Sequence, residues 1–334
     1  IVIELVLMAI KTNKAIKISQ KHLLGIQDLS INDVNLILDE AYDFIKINQS
    51  KNKKIDTLKG KTQINLFFEP STRTQSSFEL AGKRLGADVM SMNISNSAIK
   101  KGETLIDTAM TLNAMHPDII VIRHQDSGAC NLLSQKVNCA VLNAGDGRRE
   151  HPTQALLDAY SIKEAQGGVA GKKVLIVGDI LHSRVALSNI YCLQKIGAEV
   201  RVCGPTSLMP KHLEYLGVLH YSDLNEALEW CDVANVLRIQ LERQDVNYFP
   251  SLREYAMVFG INKEVLNGLQ KEITFDIYQR ASEKPVYRIS KNLNPKNKTE
   301  KFYVLDRNGR MVKKSEDLDS LINKIEWTKL KLVR

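Results

Sequence analysis

Paired cysteines, a dinucleotide loop and a long apolar run are all missing from this 334-residue chain, and each absence closes off a class of function. The five cysteines (Cys130, Cys139, Cys192, Cys203 and Cys231) are an odd number, widely spaced, with no C-x-x-C among them. That pattern argues against a disulfide framework and predicts buried free thiols in a reducing compartment. The seven histidines show no metal-ligand spacing, so no metal is expected. No G-x-G-x-x-G occurs, which argues against a dinucleotide, and no other cofactor is indicated. Residues 1–10 are the most apolar stretch, but they carry Glu4, lack a basic leader and are too short to span a bilayer. The chain therefore reads as cytoplasmic, with no membrane partner. Its net charge is +8, yet no aromatic-interleaved basic stripe accompanies that excess. Nucleic acid is not an expected partner, and the positive field is better suited to small anionic substrates.

What is present is ordinary globular composition and enough length for two domains. The most informative stretch runs from Phe67 to Gly86. Residues 61–68 contain Ile64, Leu66, Phe67 and Phe68, which suits a strand entering a core. Pro70 bars helical geometry before it, Ser71 suits an N-cap, and Gly86 stands where a C-terminal cap belongs. Phe78, Ala81 and Leu85 recur at helical spacing between them. The first turn of this helix offers free backbone N–H groups, the hydroxyls of Ser71, Thr72 and Thr74, and the guanidinium of Arg73. Four consecutive side chains of that kind at a helix N-terminus form an anion site matched to phosphate.

The rest of the chain alternates strands and helices. Helices are expected from Ser30 to residue 46, over 103–113, 153–165 and 183–196. Strands are expected at 87–92, 118–124, 139–144, 174–179, 199–203 and 231–243. Strand, helix, strand between residues 61 and 92 implies a parallel sheet with a right-handed crossover. A second βαβ unit of Rossmann-like cadence starts near residue 171. The fold class is α/β in two domains, each a parallel sheet flanked by helices. Basic residues at strand ends, such as Arg123, fall where such sheets place ligands. His151 and Gln154 share a further helix N-terminus, opened by Pro152 after the Gly145-Asp146-Gly147 turn. Arg184 lies in a first helical turn against the dipole, which calls for an anionic partner.

The octet Phe-x-Glu-x-Ser-Thr-Arg-Thr, residues 67–74, resembles the carbamoyl-phosphate motif of the transcarbamoylases. Ser97-x-x-Lys-Lys101-Gly-Glu-Thr-Leu-x-Asp-Thr and Gly145-Asp-Gly-x-x-x-His-Pro-Thr-Gln-x-Leu-x-Asp158 are similar to the aspartate type of that family. The resemblance covers about residues 17–275. It implies carbamoyl transfer from carbamoyl phosphate to L-aspartate, giving N-carbamoyl-L-aspartate for pyrimidine biosynthesis, without metal or cofactor. Its catalytic residues map to Arg73, Thr74, Arg123 and His151. Substrate binding maps to Ser71, Thr72 and Gln154, to Arg184, Arg238 and Gln240 for aspartate, and to Ser97 and Lys101 supplied by a neighbouring subunit. Shared sites imply a homotrimer, and a regulatory chain is compatible with the resemblance. The implied division is 9–152 for carbamoyl phosphate, 153–275 for aspartate, and 276–334 as an atypical tail.

That tail departs from the family. The family's His-Pro-x-Pro segment after residue 275 is missing, and no histidine follows His220. Residues 291–301 read as a polar loop or a disordered stretch, 302–312 as a hairpin turning at Asn308-Gly309, and 315–327 as an amphipathic helix. Two other functions stay open on the sequence: transfer to another amine such as ornithine, and carbamoyl-phosphate binding without catalysis.

Overall fold

Alternating apolar segments of strand and helix period place parallel strands between helices, as the sequence predicts. The computed structural model describes residues 18–93, 104–244, 246, 248–262, 265, 269, 273–279, 285–293, 300–305, 311–315 and 330–331. These fall into two compact units. One holds the described residues up to His220 together with 232–248; the other holds 221–231 and those from Phe249 onward.

The first unit begins with helix α1 (Ile31–Gln49). Ser30 and Asp33 close a reciprocal capping box at its start. Strand β1 (Thr62–Phe67) leads into α2 (Thr72–Leu85), then β2 (Asp88–Asn93) and α3 (Leu105–Asn113). Strand β3 (Ile119–His124), α4 (Ala129–Ser134), β4 (Ala140–Asp146) and α5 (Pro152–Gln166) complete the first layer. The strands form one parallel sheet in the order β2-β1-β3-β4. Strand period divides β1 between two faces. Ile64 and Leu66 join Ile120, Ile122 and Val141 beneath α3 and α4. Phe67 joins Val121 and Leu142 beneath α1, α2 and α5. Phe78 and Leu85 anchor α2 on that second face, fully buried, each contributing roughly 2 kcal/mol.

Strand β5 (Lys173–Val177), α6 (Arg184–Lys195), β6 (Glu199–Cys203) and the short β7 (Leu219–Tyr221) follow. After α7 (Leu224–Trp230) comes β8 (Val233–Val236), and the second parallel sheet has the order β7-β6-β5-β8. Ala155, Leu156 and Ala159 of α5 share one core with Ile190 and Leu193 of α6, so the same apolar cluster serves both sheets. All five cysteines are buried.

The second unit contains α7, α8 (Leu252–Phe259) and an antiparallel sheet. Its strands are β9 (Ile273–Gln279), β10 (Pro285–Leu293), β11 (Glu300–Leu305), β12 (Met311–Ser315) and β13 (Leu330–Lys331). Their order is β12-β11-β10-β9-β13.

Three expectations are corrected by this architecture. The strand read over 231–243 spans only Val233–Val236, because the backbone leaves the ladder after Leu237 N–H bonds the Val177 carbonyl at 2.8 Å. The strand read over 174–179 stops at Val177, where Gly178 turns with φ of +131°. The loop read over 291–301 is strand at its two ends, up to Leu293 and from Glu300; 294–299 lie outside the described residues. The hairpin read over 302–312 appears as the antiparallel β11–β12 pair, with its turn, 306–310, outside the described residues. Of the helix read over 315–327, Ser315 ends β12 and the remainder lies outside the described residues. Among the described residues, no helix is long and apolar enough to cross a membrane.

Candidate active site

Parallel strands aim their C-terminal ends at one edge, and the predicted side chains of the first sheet gather there. Ser71 occupies the N-cap position of α2, with φ of −157°, but its hydroxyl does not cap the helix. It donates instead to the Thr74 hydroxyl at 3.0 Å. The first intrahelical bond runs from Gln75 N–H to the Ser71 carbonyl, at 3.0 Å. The N–H groups of Thr72, Arg73 and Thr74 are thus left without helical acceptors, as an anion site requires. Thr72 and Arg73 are exposed.

Two residues before Ser71, the carboxylate of Glu69 meets three guanidinium groups. Arg123 Nη2 donates to Oε1 at 3.0 Å. Arg184 Nη2 reaches both oxygens, at 3.0 and 2.9 Å, and Arg243 Nη2 lies 3.4 Å from Oε1. Burial on its own would raise the Glu69 pKa, but attraction by Arg184, Arg123 and Arg243 outweighs it and holds the carboxyl below its ordinary value. Arg184, itself buried, is brought down to about 10 by burial and by repulsion from Arg123 and Arg243. Glu69 therefore supplies Arg184 with an anionic partner within the chain.

Arg123 sits where the register between β3 and β4 shifts, between Ile122 and His124. It donates from Nη1 to the Ala144 carbonyl at 3.0 Å, while its buried Nε has no hydrogen-bond partner. Gly145 makes this crowding possible. With φ of +130°, a Cβ there would lie 2.7 Å from Arg123 Nη1 and 2.9 Å from Arg184 Cζ.

His151 is the N-cap residue of α5 and is buried. Its N–H donates to Ser188 Oγ at 2.8 Å, and its Nδ1 lies 3.3 Å from the Thr153 hydroxyl. Burial, then the charges of Arg184, Arg123 and Arg243, hold its pKa well below the ordinary value. The ring is neutral at physiological pH, and the tautomer in which Thr153 donates to Nδ1 leaves Nε2–H as a donor. Three residues on, Gln154 donates from Nε2 to Asp158 at 2.8 Å. His124, next to Arg123, accepts the Asp126 N–H and packs its ring against Phe68 at 4.7 Å.

Arg238 and Gln240 sit past the end of β8 and hold each other: Arg238 Nη2 donates to Gln240 Oε1 at 3.2 Å, and Gln240 Nε2 to the Arg238 carbonyl at 3.1 Å. Asp179 anchors them, accepting from Gln240 N–H at 3.3 Å and from Gln244 Nε2 at 3.0 Å. Its other oxygen lies 2.8 Å from His182 Nδ1. The structure thus joins Arg123, Arg184 and Arg243 through Glu69, while Arg238 and Gln240 form a separate pair. Ser97 and Lys101 lie outside the described residues.

Comparison with known proteins follows the same lines. A family model described as aspartate/ornithine carbamoyltransferase, carbamoyl-P binding domain, matches residues 21–164. The aspartate carbamoyltransferase catalytic subunit of Pelagibacter ubique (strain HTCC1062) is 70% identical over 259 residues, covering 78% of this chain and 83% of that one. This chain belongs to the aspartate carbamoyltransferase catalytic-subunit family. The catalytic subunit from Cytophaga hutchinsonii is 58% identical, over 77% of this chain and 84% of that one. Among solved structures, Trypanosoma cruzi aspartate transcarbamoylase with carbamoyl phosphate and aspartate superposes with a TM-score of 0.66 at 29% identity. That match covers 75% of this chain and 82% of that chain. The catalytic subunit from M. jannaschii gives a TM-score of 0.65 at 37% identity, covering 75% and 83%. The two-domain transcarbamoylase fold expected from the sequence is the fold observed. A second family model, described as a protein of unknown function, matches residues 251–322, which contain the departure from the transcarbamoylase pattern.

Sequence reasoning passed over Glu69 and Arg243. Both stand inside segments it singled out: Glu69 within the octet and Arg243 five residues after Arg238. The available signal was a single carboxylate amid residues otherwise suited to bind anions.

Proposed function

We propose that this chain transfers the carbamoyl group of carbamoyl phosphate to L-aspartate, releasing N-carbamoyl-L-aspartate and phosphate. The observation that supports it best is the uncapped first turn of α2 at the same sheet edge as a buried arginine with a free Nε and a neutral histidine. The uncharged amine of aspartate attacks the carbonyl carbon, and negative charge develops on the carbonyl oxygen; the C–O bond to phosphate then breaks, and the amine's surplus proton passes to the departing phosphate. Thr74, Arg123 and the Nε2–H of His151 stabilise that oxygen, a task in which neutral and cationic donors fixed in advance are effective. Ser71, Thr72, Arg73 and Thr74 hold the phosphate as it leaves. Gln154 donates from Nε2 to Asp158, and its carbonyl oxygen is the acceptor it offers to the carbamoyl NH2. Arg184 and Arg238 supply one guanidinium for each aspartate carboxylate. Both substrates are held in place, and positioning carries much of the rate without a covalent enzyme intermediate.

The same reading divides the chain into 9–152 for carbamoyl phosphate, 153–275 for aspartate and 276–334 as a tail. It makes the assembly a homotrimer, with Ser97 and Lys101 completing a neighbour's site, and leaves room for a regulatory chain. It assigns the reaction to pyrimidine biosynthesis in the cytoplasm. The test is carbamoyl transfer by the purified chain with aspartate and ornithine side by side. Product with aspartate alone is expected. Product with ornithine alone would replace aspartate as acceptor, and no product from folded protein would leave a carbamoyl-phosphate binder.

A further inference from the structure

The carboxylate of Asp158 collects three amide groups from three elements. Gln154, one turn earlier on α5, donates Nε2–H to Oδ1 at 2.8 Å. Asn189 of α6 donates Nδ2–H to Oδ2 at 2.7 Å, and Asn235 of β8 donates to the same oxygen at 3.3 Å. An ionised carboxylate only accepts, so each amide must turn its NH2 towards Asp158 and its oxygen away. The cost of this arrangement shows at Asn189, whose buried Oδ1 has no partner. At Gln154 the same constraint leaves Oε1 without a described partner, three residues after His151 in the first turn of α5.

We infer that Asp158 is a positioning residue for carbamoyl recognition: by holding the Gln154 NH2, it presents Oε1 as an acceptor. This rests on the assignment of Gln154 to carbamoyl phosphate made above. A carbamoyl group differs from an acetyl group in carrying NH2 where acetyl carries CH3. An acceptor at that place favours the first and is indifferent or unfavourable to the second. Were the amide reversed, its NH2 would face the substrate's NH2, donor against donor. The carboxylate at 158 therefore sets a preference that the phosphate-binding turn of α2 cannot make, since both compounds share the phosphate. It also ties that preference to β8, from which the chain continues to Arg238.

The experiment measures binding of carbamoyl phosphate, acetyl phosphate and inorganic phosphate by titration calorimetry, in the full chain and in Asp158→Asn, Gln154→Ala and the double variant. Asn at 158 retains the size but can donate, which allows Gln154 to reverse. The expected result is about tenfold weaker carbamoyl phosphate binding in Asp158→Asn. Acetyl phosphate and phosphate should stay within about twofold, and the double variant should match Gln154→Ala. Equal weakening of all three ligands, as a purely structural role gives, overturns the inference, as does an unchanged carbamoyl-to-acetyl ratio. Should Asp158→Asn not fold, Asp158→Ser is expected to lose the same preference, and its retention there overturns the inference equally. Failure of the unaltered chain to bind carbamoyl phosphate would sink the functional reading itself. Normal binding there with an unchanged ratio in Gln154→Ala would remove only the Gln154 assignment and, with it, the role of Asp158.

Discussion

The two sheets of the first unit present their functional side chains in different ways. At the first sheet they stand on regular elements: Arg123 on β3, His151 and Gln154 at the start of α5, and Thr72, Arg73 and Thr74 in the opening turn of α2. At the second sheet only Arg184 does so; Arg238 and Gln240 lie on irregular backbone beyond β8, tethered through Asp179. A side chain on a strand end or first helical turn inherits its position from the backbone ladder. One on a loop depends on individual side-chain bonds, each worth about 1 kcal/mol net. The edge we assign to carbamoyl phosphate is therefore set by the fold, and the one we assign to aspartate by a small number of replaceable contacts.

The largest expected effect breaks the first edge alone. Arg73→Ala removes the one exposed guanidinium at the α2 turn and should lower turnover by roughly 10³-fold, with thermal unfolding little changed. Steady-state kinetics beside a melting curve checks this; substantial residual turnover would count against the assignment.

Glu69→Gln should affect both edges, because Glu69 joins Arg123 to Arg184 and Arg243. Three partly buried cations would lose their counter-charge, at a cost of roughly 3 kcal/mol in denaturant unfolding. The sign of the pH dependence follows from the depressed pKa. Stability from Glu69 is fully present above its ordinary value of 4.5 and is lost as pH falls through the lower folded value. The difference in stability between the parent and Glu69→Gln should thus shrink in acid, and a constant difference down to low pH would contradict the charge account.

The smallest effect tests the second edge alone. Asp179→Asn weakens the tether on Gln240 and Gln244, so KM for aspartate should rise about tenfold. Carbamoyl phosphate binding, measured by titration, should remain as before. Equal loss of both substrates would mean that the two edges are not separable in this way.

Legibility followed the same division. Ser71 to Thr74, Arg123 and His151 could be placed from sequence because Pro70, Gly86, the Gly145-Asp146-Gly147 turn and Pro152 mark where strands end and helices begin. Arg238 and Gln240 were found through a resemblance, and the local reading extended their strand too far, since nothing in Leu237-Arg238-Ile239-Gln240 opposes an extended ladder. Ser71 was placed correctly as an N-cap residue, but its hydroxyl turns to Thr74, a choice between two nearby acceptors that spacing does not decide. In the second unit, the β11–β12 pair could be anticipated from its hairpin signal. The rest of that antiparallel sheet is not among the expectations, although Ile273-Thr274-Phe275-Asp276-Ile277 alternates apolar and polar residues as a strand does.

By itself the sequence determined the α/β class, the order of strands and helices through the first unit, and the chemistry at the N-terminus of α2. These depend on apolar period, proline and glycine, which act within a few residues of each other. Only the tertiary structure decided that Glu69 would gather Arg123, Arg184 and Arg243, that Gly145 would yield the space between two guanidinium groups, and that Asp158 would accept from Asn189 and Asn235. Those meetings join residues tens to more than a hundred positions apart. Charge and hydrogen-bonding capacity can be read from a residue's name, but the partner it acts on is chosen by how the layers pack.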